Sequence, residues 1–270
     1  MRSLILACLG LASLSAVEPQ LTVEGLRIVK PVTIDQKLLD EGKVSEIEPQ
    51  GFNEVAGTGL SVRVRREEKD LRSFVEGDSS LEIFCDDTGQ NLLEGKPGLF
   101  PVTQRLRVLQ IIGGSSALVD IHGHGLPAAT ASRFIVKGKL VFMVGGKEAE
   151  ARTSLALTAG TKVKVGEATV TVVSNTKQED GSAELVLSVP AAQAGLIQYV
   201  RLLDADDKDV PAAMQQIDAV NTEDGTVQYL WPMKKQMTSA TLLMKQIQGA
   251  KKWEIPLELA TGLALGSTGK

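Results

Sequence analysis

The sequence is short of the residues on which much protein chemistry is built: 270 residues hold 2 cysteines, 2 histidines and 4% aromatics. Cys8 lies in the first, apolar stretch, so once that stretch is removed Cys85 stands alone and no intramolecular disulfide can form. There is no phosphate-cradling glycine loop and no dinucleotide fingerprint. Ser115 and Ser116 follow Gly113-Gly114 without the Gly-x-Ser-x-Gly elbow of an acyl-transfer nucleophile. No Asn-x-Ser/Thr acceptor occurs, and no segment after the first residues is apolar enough to cross a bilayer. Excess positive charge is missing too: the formal net charge is −4, which argues against nucleic acid as a partner.

What is present begins with a three-part leader. Arg2 supplies a basic start, Leu4 to Leu11 an apolar run, and Ser13, Ser15 and Ala16 a small-residue exit. This is the pattern of a secretory signal peptide over residues 1–16, too short for a permanent anchor. A competing reading makes Ile5-Leu6-Ala7-Cys8 a lipoprotein box, but too little apolar run precedes Cys8. An exported chain without a disulfide or a glycosylation acceptor fits a bacterial periplasm or extracellular space better than a eukaryotic secretory route.

The remaining chain alternates with period two. Leu60, Val62 and Val64 interleave with Ser61, Arg63 and Arg65; Val170 and Val172 with Thr169 and Thr171; Leu185, Leu187 and Val189 follow the same rule. Such alternation puts one face on a core and the other in water. Turn signals punctuate the runs at Gly57-Thr58-Gly59, Glu76-Gly77-Asp78, Asp87-Thr88-Gly89, Gly145-Gly146-Lys147, Glu179-Asp180-Gly181 and Glu223-Asp224-Gly225. The expectation is an all-β fold of two tandem antiparallel sandwiches, with a leading strand over Leu21 to Val29. Leu38 to Glu48 and Val210 to Ala219 are the best helix candidates, and the segment before Ala56 reads as an irregular insert.

Two stretches match about 118 residues apart: Phe84-Cys85-Asp86-Asp87-Thr88-Gly89-Gln90-Asn91-Leu92 and Leu202-Leu203-Asp204-Ala205-Asp206-Asp207-Lys208-Asp209-Val210. Further on, Ala117 to Ile121, Phe134 to Val144, the Gly145-Gly146 turn and Thr153 to Leu157 correspond in order to Val227 to Trp231, Thr241 to Ile247, the turn at Gly249 and Ile255 to Leu259. Each copy reads as a strand, a crossing loop and a closing hairpin. The boundary falls near Thr158-Ala159-Gly160, giving modules over 17–158 and 159–270. These stretches and closing hairpins resemble the immunoglobulin-like or fibronectin-like sandwiches of exported bacterial proteins. The resemblance implies a sandwich fold and carries no functional residue across, because the cysteine-tryptophan-cysteine framework of antibody domains is missing.

Candidate chemistry is thin. Asp204, Asp206, Asp207 and Asp209 suggest a calcium loop, but Lys208 takes the third alternating position and no closing glutamate follows, so they read as turn residues. His122 and His124, two apart on one strand face with Asp120 in the same phase, form the one candidate metal set, against the plainer reading of a solvated strand end. Cys85 reads as a core thiol, and Arg63, Arg65 and Arg66 as the charged cover of a strand edge. Trp231 and Trp253, with Tyr199 and Tyr229, all fall in the second module and suggest a sugar-stacking platform. No cofactor is implied. The expected function is therefore a non-enzymatic exported protein whose sandwiches bind protein or an envelope polymer, with a carbohydrate-binding module second and a metal-dependent hydrolase third.

Overall fold

A computed structural model describes residues 20–30, 56–95, 104–210, 215–217 and 225–263. The leader, the helix candidate over 38–48 and most of the insert before Ala56 lie outside the described residues. What is described is mostly strand, arranged in antiparallel sheets. The first sheet runs in the order β1 (Gln20–Val29), β2 (Gly57–Arg65), β6 (Ser116–Gly123), β5 (Leu106–Ile112). A second sheet runs β12 (Gln215–Ile217), β13 (Thr226–Met233), β10 (Ala183–Pro190), β9 (Ala168–Lys177), β8 (Lys162–Val165). Interspersed among these along the chain are β3 (Leu71–Phe74), β4 (Ser80–Asp86), β7 (Arg133–Ala156) and β11 (Ile197–Leu203), which with the last strand, β14 (Ser239–Gly262), make the third. Helix is limited, among the described residues, to a turn at Glu76–Asp78 and α1 (Ala191–Ala194).

The third sheet differs most from the sequence expectation. β7 and β14 are each 24 residues long and pair antiparallel from Ser239↔Ala156 to Gly262↔Arg133. The closing hairpins expected at Gly145-Gly146 and Gly249 therefore do not form; each glycine turn is the middle of one continuous strand. Gln248 pairs with Lys147 and Ala250 with Gly145, leaving Gly146 and Gly249 between them without breaking the register. Both have positive φ, 77° and 71°, and a Cβ on Gly146 would come within 2.6 Å of Ile247 Cγ2 and 2.7 Å of the Gln248 carbonyl. Two facing glycines allow a kink that a side-chain-bearing residue would resist.

The kink divides the ladder between two cores. The first gathers Leu60, Val62 and Val64 of β2, Val119 and Ile121 of β6, and Phe134, Val136, Leu140 and Phe142 of β7, together with Ile255 and Leu257 of β14. The second gathers Leu155 of β7, Val170 and Val172 of β9, Leu185 and Leu187 of β10, Tyr229 and Trp231 of β13, and Leu242 and Met244 of β14. In both long strands the buried set changes from even to odd numbers across the glycines, so the ladder offers one set of alternating residues to the first core and the opposite set to the second. The first core is closed by a strand segment that returns after the whole of the second has been built. Ile255 and Leu257, assigned by sequence to a module over 159–270, lie in the core built mainly by residues before 158. The chain does turn between β7 and β8, but the cores are not divided there.

Smaller differences have equally direct causes. Gly57 and Gly59 lie inside β2, where a Cβ on Gly57 would sit 2.1 Å from the Gly123 carbonyl; they mark a close strand approach, not a turn. Within the helix candidate over 210–219, Gln215 to Ile217 pair instead with β13. Arg63 is on a central strand, flanked by β1 and β6, and its guanidinium donates to Glu24 at 2.6 Å on the outer face. Cys85 is half-buried, with Phe84 and Asp86 on either side taking the inward positions.

The matched aspartate turns have the same wiring. Asp86 Oδ1 accepts from the Thr88 and Gln90 N–H groups at 3.0 and 2.9 Å; Asp204 Oδ1 accepts from those of Asp206 and Lys208 at 2.9 and 3.0 Å. Leu92 N–H donates to the Phe84 carbonyl as Val210 N–H does to that of Leu202, and Gly89 and Asp207, at equivalent places, both have positive φ. Only the first is buried deeply: Asp86 is 1% exposed and its Oδ2 also accepts from the Ala128 N–H at 2.7 Å.

Leu257→Ala is expected to destabilise the first core by about 2–5 kcal/mol, read by urea unfolding, although it lies near the end of the chain. A fragment of residues 17–158 should fail to fold cooperatively, because the strand that closes its core is missing; a sharp unfolding transition for that fragment would count against the shared ladder.

Candidate functional site

The polar cluster that departs most from ordinary surface chemistry lies on the outer face of the first sheet. Arg27 of β1 stands opposite Gly59 of β2, and Gly59 opposite His122 of β6, so the three form one row across three strands. Because residue 59 has no side chain, the Arg27 guanidinium lies over it; a Cβ there would be 3.4 Å from Arg27 Nε and Nη2. Arg27 thereby reaches His122, with Nη2 3.2 Å from Nδ1. His124 follows, its ring centroid 5.3 Å from that of His122 and the planes at 81°.

The intervening glycines pull this strand end inward. A Cβ on Gly123 would be 2.1 Å from the Leu92 carbonyl, and one on Gly125 would be 2.6 Å from that of Glu94. Only glycine admits the chain at 92–95 so closely, and the Gly125 N–H donates to the Leu92 carbonyl while Thr58 Oγ1 donates to the Gly125 carbonyl, each at 2.8 Å. His122 is consequently 5% exposed and His124 half-buried. The solvated strand end expected from sequence is instead a packed one.

Arginine is always a donor, so His122 Nδ1 accepts from it and the neutral ring carries its proton on Nε2. That Nε2 makes no hydrogen bond; neither does buried Arg27 Nε nor His124 Nδ1. Burial first, then the charges of Arg27 and His124, push the His122 imidazole down to about 4, with the Ala56 carbonyl acting weakly the other way. Asp120 is not part of the cluster: its Oδ1 accepts from the Ser61 hydroxyl across the strand pair at 2.5 Å. Among the described residues no three His, Cys, Asp or Glu side chains converge as metal ligands. A guanidinium against His122 also repels a cation. The metal set of Asp120, His122 and His124 is thus two histidines and an arginine, with the aspartate engaged elsewhere.

The aromatic candidates separate in the same way. Trp231 is 2% exposed and packs beside Tyr229 in the second core, centroids 6.1 Å apart. Trp253 is half-buried against the first core, 6.4 Å from Phe142, with the Arg66 guanidinium 4.5 Å above its ring. The two indoles serve different cores, so they do not form one stacking surface. Tyr199 donates to Glu150 at 2.6 Å across the third sheet. Sequence could flag the histidines by their spacing, but not Arg27, some 95 residues away; a glycine facing a histidine across a strand pair leaves no linear signal.

No family model, curated protein or solved structure shows detectable similarity to this chain.

Two expectations follow from these environments. The His122 ring should stay neutral until about pH 4, seen as a ring-proton titration well below the ordinary imidazole value of about 6.5. Since the folded value is depressed, the stability it contributes is complete above the unfolded value and is lost as pH falls from there towards the folded one. A midpoint near 6.5 would mean the ring is solvated. For Asp86, burial raises its pKa, but the Ala128 N–H, the Thr88 hydroxyl and the Gln90 and Thr88 N–H groups together hold it below the usual carboxylate range. Asp86→Asn should cost about 2–3 kcal/mol near neutral pH, against about 1 kcal/mol for Asp204→Asn. The gap between wild type and Asp86→Asn should narrow as pH falls through the folded value, measured by denaturant unfolding across pH.

Proposed function

We propose that the chain is an exported bacterial protein whose two immunoglobulin-like sandwiches, descended from an internal duplication, act as a non-enzymatic structural or interaction module of the cell envelope or secreted fraction, engaging protein or an envelope polymer. The observation that carries the reading is the ladder of β7 and β14, up to about 80 Å of paired strand, which ties both cores into one body without a linker. A body so built holds two surfaces at a fixed separation, which suits a spacer or scaffold. The shared backbone hydrogen bonds of the Asp86 and Asp204 turns support the duplication, and the Arg2, Leu4 to Leu11 and Ser13 to Ala16 pattern supports export. Trp231 in the second core and Trp253 half-buried against the first favour this reading over the carbohydrate one, which needs both indoles on one exposed face.

Expression of the full chain in a bacterial host tests this directly. Mass spectrometry should find a mature start after Ser15 or Ala16 in the periplasmic or secreted fraction, and the purified protein should cosediment saturably with isolated envelope. Cytoplasmic protein with its first residues intact would overturn export, and turnover of any substrate in a hydrolase panel would overturn the non-enzymatic assignment.

A further inference from the structure

The unpaired nitrogens of the first sheet point to a ligand. We infer that Arg27, His122 and His124 form a binding site for a small oxyanion group, a carboxylate or a phosphate. Arg27 Nε carries a hydrogen that donates to nothing, His124 Nδ1 is equally unpartnered, and His122 Nε2 makes no hydrogen bond of good geometry, the Ala56 carbonyl acting on the ring only weakly; all three atoms are buried. Buried donors left without acceptors cost more than the net gain of an ordinary hydrogen bond, so such a cluster is sparse in folded proteins unless something accepts from it. What is missing is an acceptor with more than one lone-pair site. The fixed positive charge of Arg27 makes an anionic acceptor the best fit and a metal cation the worst.

The cluster is built for this and not left over from packing. His122 is 95% buried on a face that would ordinarily be solvated, and Gly59 is what permits Arg27 to lie flat towards it. The edge-to-face contact with His124 fixes the second ring at 5.3 Å. Arg27 and His124 are half-buried, so theirs are the side chains that must move to admit a ligand to the buried nitrogens. Asp120, the carboxylate nearest in sequence, is held by Ser61 and does not fill the place. This assignment is independent of the scaffold role proposed above and stands if that role fails.

The two histidines of the chain make the test clean, since their ring signals are the only imidazole resonances. The full-length protein is titrated at constant ionic strength, set with sodium chloride, with inorganic phosphate in one arm and succinate in the other, while ring resonances are followed by NMR. Both histidine signals should move together and saturate in the millimolar range or below with at least one probe, and the arm that saturates identifies the group. Arg27→Gln should weaken binding at least tenfold, as loss of a charge-assisted contact does. His124→Ala is the second variant, its ring being half-buried, and decides alone if Arg27→Gln fails to fold. Absence of saturation in both arms, or full retention of binding by a folded variant, overturns the site.

Discussion

The antiparallel pairing of β7 with β14 is the constraint on which both cores depend. One end of it supplies Phe134, Val136, Ile255 and Leu257 to the first, and the other Leu155, Leu242 and Met244 to the second. The second core is drawn from one stretch of chain, Leu155 to Met244, whereas the first is closed only when Ile255 and Leu257 return to it from beyond that stretch. Hydrophobic burial is local to each core, but the hydrogen-bonded ladder between them is one object with one register, so a slip of one residue would turn the buried set of both cores outward at once. That coupling makes the register well determined despite the two glycines at its middle.

Those glycines reconcile two demands. A strand 24 residues long that serves two cores must change which alternate residues it buries, and it must bend to do so. Gly146 and Gly249 face one another with positive φ, in a place where a Cβ on Gly146 would strike Ile247 and the Gln248 backbone. Glycine recurs for a related reason on the first sheet, where residues 59, 123 and 125 let Arg27, Leu92 and Glu94 approach the strands. The missing side chains there create the row of Arg27, Gly59 and His122, so close backbone packing and the unusual electrostatics of that face share one cause.

A good part of the fold is legible in the sequence. Period-two runs at Leu60 to Val64, Val170 to Val172 and Leu185 to Val189 are strands of the two cores, because a half-buried strand must alternate. The match between Phe84 to Leu92 and Leu202 to Val210 extends to individual hydrogen bonds, because an aspartate that accepts from the next two even-numbered N–H groups needs only local chain. What misled was Gly-Gly, which signals a hairpin when read locally and a kink when a second long strand lies alongside. The candidate site was half visible: His122 and His124 by spacing, Arg27 not at all, and Asp120 wrongly beside them.

The sequence by itself determined the all-β class, the strands and the aspartate turns, since each follows from residues within a few positions of one another. Tertiary structure alone decided that the strands at Gly145-Gly146 and Gly249 run on, that Trp231 and Trp253 belong to different cores, and that an arginine lies against a buried histidine 95 residues away. The physical reason is the same in each case. Strand pairing and burial join segments distant in the chain, and the energy that selects among partners lies in the contact between them, which no single stretch encodes.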